Sequence, residues 1–286
     1  MKRRNFIKLI GVGVAIPLLP PLNFASGGGA NNSMSGLIKT GILGLDQKIR
    51  GFMPGELVII GGRPSMGKTQ IALQIARNAA LRNNQCVAYF SVESSKKNIM
   101  QIILSAETGI KLNKIKHGRI AAGEWLPLTK ATGNISTSKL FIDDRAGITS
   151  RDIQQVLNNF SSKEKVNLVI VDYLQLMDTS MNYKTREEAI RKTLTDLKHI
   201  AVQNKTVVVV MVRLNMPPMN RVLRPKLEDF GAIGPLLTGS TADLSVVDKA
   251  ILLFRENYYN SEVGHNLMEY HIAMNNKGST GLVISS

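Results

Sequence analysis

The sequence predicts an α/β fold: a mostly parallel sheet flanked by helices on both faces. Two observations carry that prediction. Short, continuous apolar runs of strand length recur along the chain, and between them lie longer stretches whose apolar residues return at helical spacing. Leu57–Gly61 (LVIIG) is the first strand run, and Lys68–Arg82 follows with Ile71, Ile75 and Ala79 on one helix face. Cys86–Ser91 (CVAYFS) reads as a second strand, followed by a helical stretch over Lys97–Thr108. An insertion around residues 110–135 follows, inside which Trp125 is expected to pack. Leu140–Ile142 is a short strand, and Val166–Val171 (VNLVIV) has the uninterrupted apolar character of a central one. Arg186–Gln203 sets Ile190, Leu194, Leu197 and Ala201 along one helix face. Thr206–Val212, Lys249–Phe254, Tyr270–Met274 and Leu282–Ile284 complete the strands, and no internal repeat is visible.

The chain of 286 residues is long enough to bury a core as one large or two small domains. Its 36 Lys and Arg outnumber 21 Asp and Glu, giving a net charge of +15 and a pI near 10.0. Such an excess points to a polyanionic partner, nucleic acid first and anionic membrane second. A single cysteine, Cys86, excludes an intramolecular disulfide framework and a Cys-cluster zinc site, and the four histidines show no metal-ligand spacing.

Residues 1–35 read as a separate unit, with residues 36–286 forming the α/β domain. Lys2, Arg3, Arg4 and Lys8 occur without an acidic residue and precede the apolar run Leu9–Leu19; without this segment the charge is still +11. Lys2-Arg3-Arg4-Asn5-Phe6-Ile7-Lys8 resembles a twin-arginine export signal. Pro17, Pro20 and Pro21 would break a spanning helix, so no stable membrane span is expected. The alternative is a basic arm that docks on nucleic acid or a neighbouring subunit, and Ser26–Ser35 reads as a flexible linker.

The chemistry concentrates in Gly62-Arg63-Pro64-Ser65-Met66-Gly67-Lys68-Thr69, which fits G-x-x-x-x-G-K-[ST] between a strand and a helix. Gly62 and Gly67 let the backbone approach phosphate oxygens, and the helix N-terminus adds positive field. Lys68 is placed to reach the β- and γ-phosphates of ATP, and the Thr69 hydroxyl to ligate Mg²⁺. Asp172, closing the strand run ending at Val171, is the metal-side carboxylate, unless it is a strand-terminal turn residue. Glu93 follows the strand Cys86–Ser91, expected beside the phosphate-loop strand, and could polarise an attacking water. Its alternative is a carboxylate favoured by a helix N-terminus.

Further stretches share a pattern with these: Thr40-Gly41-Ile42 with Leu45-Asp46, Pro54-Gly55-Glu56-Leu57, Phe90-Ser91-Val92-Glu93, Phe141-Ile142-Asp143-Asp144 and Asp172-Tyr173-Leu174-Gln175-Leu176-Met177. In this order they resemble the ATPase domain of the DnaB-type replicative DNA helicases, in the RecA-like group of phosphate-loop NTPases. The resemblance covers about Leu37–Ser286 and is strongest before Met177. It implies a hexameric ring that hydrolyses ATP with Mg²⁺ and grips single-stranded DNA during replication, alongside other replication proteins, in the cytoplasm. It makes Glu93 and Lys68 the catalytic pair, with Thr69 and Asp172 on the metal. The twin-arginine-like segment leaves export open, although ATP is expected to be scarce outside the cytoplasm.

The sequence also departs from that family. The family's amino-terminal helical domain, which supports primase contacts, has no counterpart in 35 residues. Arg213 stands where the family has a polar sensor Gln, and Leu237–Asp248 has lost most of a charged and polar pattern. The trans-acting finger, K-x-R before N-G, falls on Met274-Asn275-Asn276, with Lys277-Gly278 following. The alternative function is therefore a degenerate helicase-like ATP-binding subunit with weak hydrolysis that modulates a partner ring. For DNA, residues 178–185 offer Lys184, and residues 214–226 offer Arg221, Arg224 and Lys226, a set suited to phosphate contacts without sequence specificity. The plain alternative is a solvated basic loop.

Overall fold

The apolar runs fold into strands β1 (Leu57–Gly62), β2 (Val87–Ser91), β3 (Leu140–Asp143), β4 (Leu168–Asp172), β5 (Val207–Arg213), β6 (Lys249–Phe254), β7 (Met268–Asn275) and β8 (Gly281–Ser285). These come from a computed structural model that describes residues 36–160, 164–177, 184–215, 224–233, 246–259 and 267–285. They form one sheet in the order β3-β2-β4-β5-β1-β6-β7-β8. From β3 to β6 every neighbouring pair is parallel, while β7 and β8 return antiparallel. The strand β2 is therefore not beside β1: β4 and β5 lie between them, which corrects the expected neighbourhood of Glu93. The correction has a topological cause, because the chain builds outward through β2 and β3 before β4 and β5 return to fill the centre.

Buried on both faces, the central strands need apolar residues at every position. Side chains alternate between faces along β1. Val58 and Ile60 join one core with Ile71, Ile75, Ile99 and Ile103, whereas Leu57 and Ile59 join the other with Ile190, Leu194 and Leu197. The first core is covered by α2 (Lys68–Arg77) and α3 (Lys96–Thr108), the second by α6 (Ser150–Asn159) and α7 (Arg186–Gln203). Ile59→Ala would cost about 2–5 kcal/mol through lost burial and the cavity left behind. The helix read over Lys68–Arg82 is α-helical to Arg77 and continues as a π-turn over Asn78–Arg82, closed by Asn83 N–H donating to Asn78 O. Helix α1 (Leu43–Ile49) precedes β1. The insertion forms α4 (Leu112–Lys116) and α5 (Trp125–Thr137), with Trp125 half-buried. No helix among the described residues is long and apolar enough to cross a membrane. Residues 1–35, with the twin-arginine-like segment and linker, lie outside the described residues.

Candidate nucleotide-binding site

Three helices carry their own N-terminal caps. Ser95 accepts from Asn98 N–H, Thr149 and Asp152 form a capping box, and Thr185 accepts from Glu188 N–H. Helix α2 differs: its N-cap is Gly67, which has no side chain to accept with and adopts a left-handed φ of 83°. The first-turn N–H groups of α2 thus keep the capacity to bind an anion. Ser65 is also left-handed, at φ 62°, so the loop turns twice between β1 and α2. Gly62 leaves room for Lys68 to lie across it; a Cβ there would sit 3.1 Å from Lys68 Cγ.

Around this loop opens a cleft of about 390 Å³ lined by Pro64, Ser65, Gly67, Lys68, Thr69, Gln70, Glu93, Tyr173, Arg213 and Arg255. Lys68 Nζ donates to Arg63 O at 3.0 Å. Burial lowers the Lys68 pKa, with Asp172 acting in the opposite direction and Arg213 adding to the fall. An ammonium held short of full solvation, beside a second cation, is poised for a phosphate.

Asp172 is 2 % exposed at the carboxyl end of β4. One oxygen, Oδ2, accepts from the Tyr89 hydroxyl at 2.8 Å, and the Thr69 side chain lies beside the carboxylate. Burial pushes its carboxyl above the usual aspartate value, opposed by the Thr69 and Tyr89 side chains. The other oxygen, Oδ1, is buried and has no hydrogen-bond partner among the described residues. A buried orphan oxygen is costly unless something fills its place. Beside the Thr69 hydroxyl it fits a hard divalent cation such as Mg²⁺, which takes oxygen ligands.

Glu93 reaches the same cleft despite the two intervening strands. It lies before the Ser95 cap of α3 and is exposed, so it is not engaged as a capping carboxylate. Its negative charge acts on both Lys68 and Asp172. Arg213 closes β5 beside Gly62 and faces the cleft, its backbone fixed by Gln175: the side-chain amide donates to Arg213 O at 2.8 Å, and Oε1 accepts its N–H at 3.1 Å. Arg255, absent from the sequence-based candidates, follows β6 and lines the cleft with Tyr173. A signal for it existed: a cation just past the carboxyl end of a strand, where open α/β sheets bind ligands.

Not every loop residue faces the cleft. Arg63 is 2 % exposed and turns away to pair with Asp229 at 3.3 Å, and Met66 is buried in the core. Of the candidate DNA contacts, Lys184 and Lys226 are exposed, and Arg221 lies outside the described residues. Arg224 is already engaged. Its Nε and Nη2 donate to the two Glu269 oxygens at 2.8 Å each, Glu256 stands 3.6 Å away, and the guanidinium lies 5.5 Å over the Phe254 ring. Near the end of β7 Met274 packs against the core, and in the turn after it Asn276 Nδ2 donates to Val247 O at 3.2 Å. Lys277 lies 3.5 Å from Glu56.

Residues 37–285 match the family described as the DnaB-like helicase C terminal domain. The replicative DNA helicase DnaB of Geobacillus stearothermophilus is 31% identical over 249 residues, covering 86% of this chain and 53% of that protein. That of Helicobacter pylori strain 26695 is 33% identical over 234 residues, covering 81% and 46%. The chain thus spans about half the length of the curated relatives it matches. Among solved structures, a DnaB-like replicative helicase described with its interactions with primase superposes with a TM-score of 0.76 at 29% identity, covering 86% of this chain and 58% of that one. The RadB recombinase gives 0.53 at 17% identity over 87% and 94%, a likeness of fold alone.

Proposed function

The chain belongs to the DnaB-like helicase C-terminal domain family, and on that premise we propose that it is an ATP-hydrolysing motor domain acting on single-stranded DNA as a ring of subunits. The observation that carries the reading is that Lys68, Thr69 and Glu93 line one cleft while Asp172, whose charge acts on Lys68, keeps a buried Oδ1 with no partner among the described residues.

In this reading the uncapped first turn of α2 and the backbone of Gly62–Thr69 bind the phosphates of ATP, and Lys68 Nζ leaves the Arg63 carbonyl to neutralise the β- and γ-phosphates. Thr69 and Asp172 would hold Mg²⁺, which when bound screens the negative charge of the triphosphate. Glu93 orients a water and takes its proton as the oxygen attacks the γ-phosphorus. The bond to the β–γ bridging oxygen breaks, and ADP carries the electron pair away. Arg213 and Arg255 face the cleft and supply positive charge for the oxygens of the transferring group.

A second reading, an ATP-binding subunit with slow turnover, is favoured by the end of β7 and the turn after it. Under the family resemblance Met274 and Asn276 occupy the positions of the trans-acting cations, and both are neutral. The motor reading is tested by ATP turnover with and without oligo-dT, beside a sizing measurement. DNA-stimulated hydrolysis by an assembled species, lost in Glu93→Gln, supports the motor. Nucleotide binding with a rate indifferent to DNA and to assembly supports the second reading.

A further inference from the structure

The insertion of residues 110–135 lines no part of the nucleotide cleft, yet it is packed onto the fold: Ile115 of α4 and Leu128, Ala131 and Ile135 of α5 share the first core with Ile99 and Ile103 of α3. It carries Lys111, Lys114, Lys116, Arg119 and Lys130 against one acid, Glu124. That acid is already committed. Its Oε1 accepts from Lys114 Nζ at 2.7 Å and its Oε2 from Ala121 N–H at 2.9 Å, and the two together hold the carboxyl below the usual carboxylate range. Glu107, which ends α3 just before the insertion, is held in the same way by Arg77 and Arg82 at 2.6 and 2.8 Å. Lys111, Lys116, Arg119 and Lys130 are exposed, and none has an ion-pair partner among the described residues.

The same surface presents an apolar side chain. Leu126 is 79 % exposed in the first turn of α5, a helix that buries Leu128, Ala131 and Ile135. Lys130 stands four residues on, which places it next to Leu126 on the helix surface. The Lys114–Glu124 pair ties α4 to the start of α5, so the cations of α4 flank the turn that leads into Leu126. A lone exposed leucine is ordinary, but here it stands beside cations that the fold leaves unbalanced. A nucleic-acid backbone would use the cations and have no use for the leucine. A membrane surface calls for an apolar stripe, and Leu126 is the one large apolar side chain fully exposed among the described residues of the insertion. An acidic protein segment with an apolar residue among its carboxylates uses both features.

We infer that the exposed face of the α4–α5 insertion docks an acidic segment of a partner protein, its carboxylates on Lys111, Lys116, Arg119 and Lys130 and an apolar side chain against Leu126. The insertion leads into β3, the edge strand four positions from β1, so this surface stands apart from the nucleotide cleft and the inference does not rest on the motor reading.

The test is fluorescence anisotropy on the full chain with a labelled peptide of Asp and Glu carrying one central Leu, beside the same peptide with Ser in that place. The Leu peptide should bind at least about fivefold tighter, the worth of partly burying one leucine. Leu126→Ser should erase that difference while leaving the affinity for the Ser peptide unchanged, which a general attraction between opposite charges does not do. Reversing charge with Lys111→Glu, Lys116→Glu, Arg119→Glu and Lys130→Glu together should weaken both peptides by at least about tenfold. Lys165→Gln with Lys205→Gln, two exposed lysines outside the insertion, should change either affinity by less than about twofold. Equal affinity for the two peptides, or wild-type binding by the charge-reversed chain, overturns the inference. Loss of oligo-dT or phosphatidylglycerol-vesicle binding in that chain, with peptide affinity unmoved, assigns the surface to nucleic acid or to membrane and overturns it as well.

Discussion

The two ends of the sheet treat charge in opposite ways. At the carboxyl ends of β1, β2 and β5 the charges face open space, with Lys68, Glu93 and Arg213 lining one cleft, while at the end of β4 the buried Asp172 Oδ1 has no partner among the described residues. At the amino ends of β1 and β6 the charges satisfy each other. Glu56 pairs with Lys249, both at most 3 % exposed, Asp248 accepts from Lys198 at 2.7 Å and from Leu57 N–H at 2.8 Å, and Lys277 adds to Glu56. In the proposed reading the first arrangement is completed by a nucleotide, whereas the second is paired within the fold. Similar residue types would thus serve binding at one end and cohesion at the other.

The sharpest way to break this contrast is at the cleft. Lys68→Ala should weaken ATP·Mg²⁺ binding by about 10- to 150-fold, the worth of a charge-assisted contact, in a nucleotide titration. Glu93→Gln should keep that affinity and slow turnover by about 10²–10⁴. Turnover at the wild-type rate in Glu93→Gln would remove Glu93 from catalysis.

Next in size comes the opposite end. Glu56→Gln leaves Lys249 buried without its counter-charge and should cost about 3–5 kcal/mol in denaturant unfolding, with nucleotide affinity unchanged. Replacing both members, Glu56→Leu with Lys249→Met, should recover most of that loss. A Glu56→Gln variant as stable as wild type would show that the lower charges are not cohesive.

At the end of β7 and the turn after it, Met274→Lys with Asn276→Arg should raise turnover by at least about tenfold, toward the range arginine fingers provide, and only at concentrations where subunits associate. Lys277 is held near Glu56, so Lys277→Ala should change turnover by less than about twofold and stability by under about 1 kcal/mol. Brisk DNA-stimulated turnover abolished by Lys277→Ala would make that lysine the finger.

The smallest effect is a pH dependence. Because burial raises the Asp172 pKa, its ionisation costs stability once pH exceeds the folded value, and costs nothing below the unfolded value of about 3.9. Asp172→Asn should therefore melt at a higher temperature than wild type at neutral pH without ligand, with the gap closing as pH falls through that window. An equal gap at all pH values would assign the effect to packing.

The strands of the core were legible because burial on both faces leaves an uninterrupted apolar run: Lys249–Phe254 appears as read, and Leu57–Gly61 is extended by one residue. Helix α7 was equally plain over Arg186–Gln203, where Ile190, Leu194 and Leu197 repeat at helical spacing. Strand order was not legible, because periodicity marks which face is buried and says nothing of which neighbour covers the edge. In the site, Gly62, Lys68, Thr69 and Asp172 could be read, since short-range spacing around a strand end carries their chemistry. Arg255 and the Arg63–Asp229 pair depend on contacts across 166 or more positions, as in Arg63 meeting Asp229, which local patterns do not encode.

The bidentate grip of Glu269 on Arg224 has a consequence for how DNA binding should respond to salt. A lysine or arginine that meets a phosphate normally drives affinity by releasing a condensed counterion, worth about 0.7 in the log–log salt slope for a single strand. Arg224 already carries a fixed protein carboxylate in place of a mobile ion, and its hydrogen bonds hold Glu269 below the usual carboxylate range. Neutralising Lys184, Arg221 or Lys226 should each flatten the slope by about 0.7, whereas Arg224→Gln should leave it unchanged. Of these cations that look alike in the sequence, Arg224, among the described ones, has its counterion built into the fold.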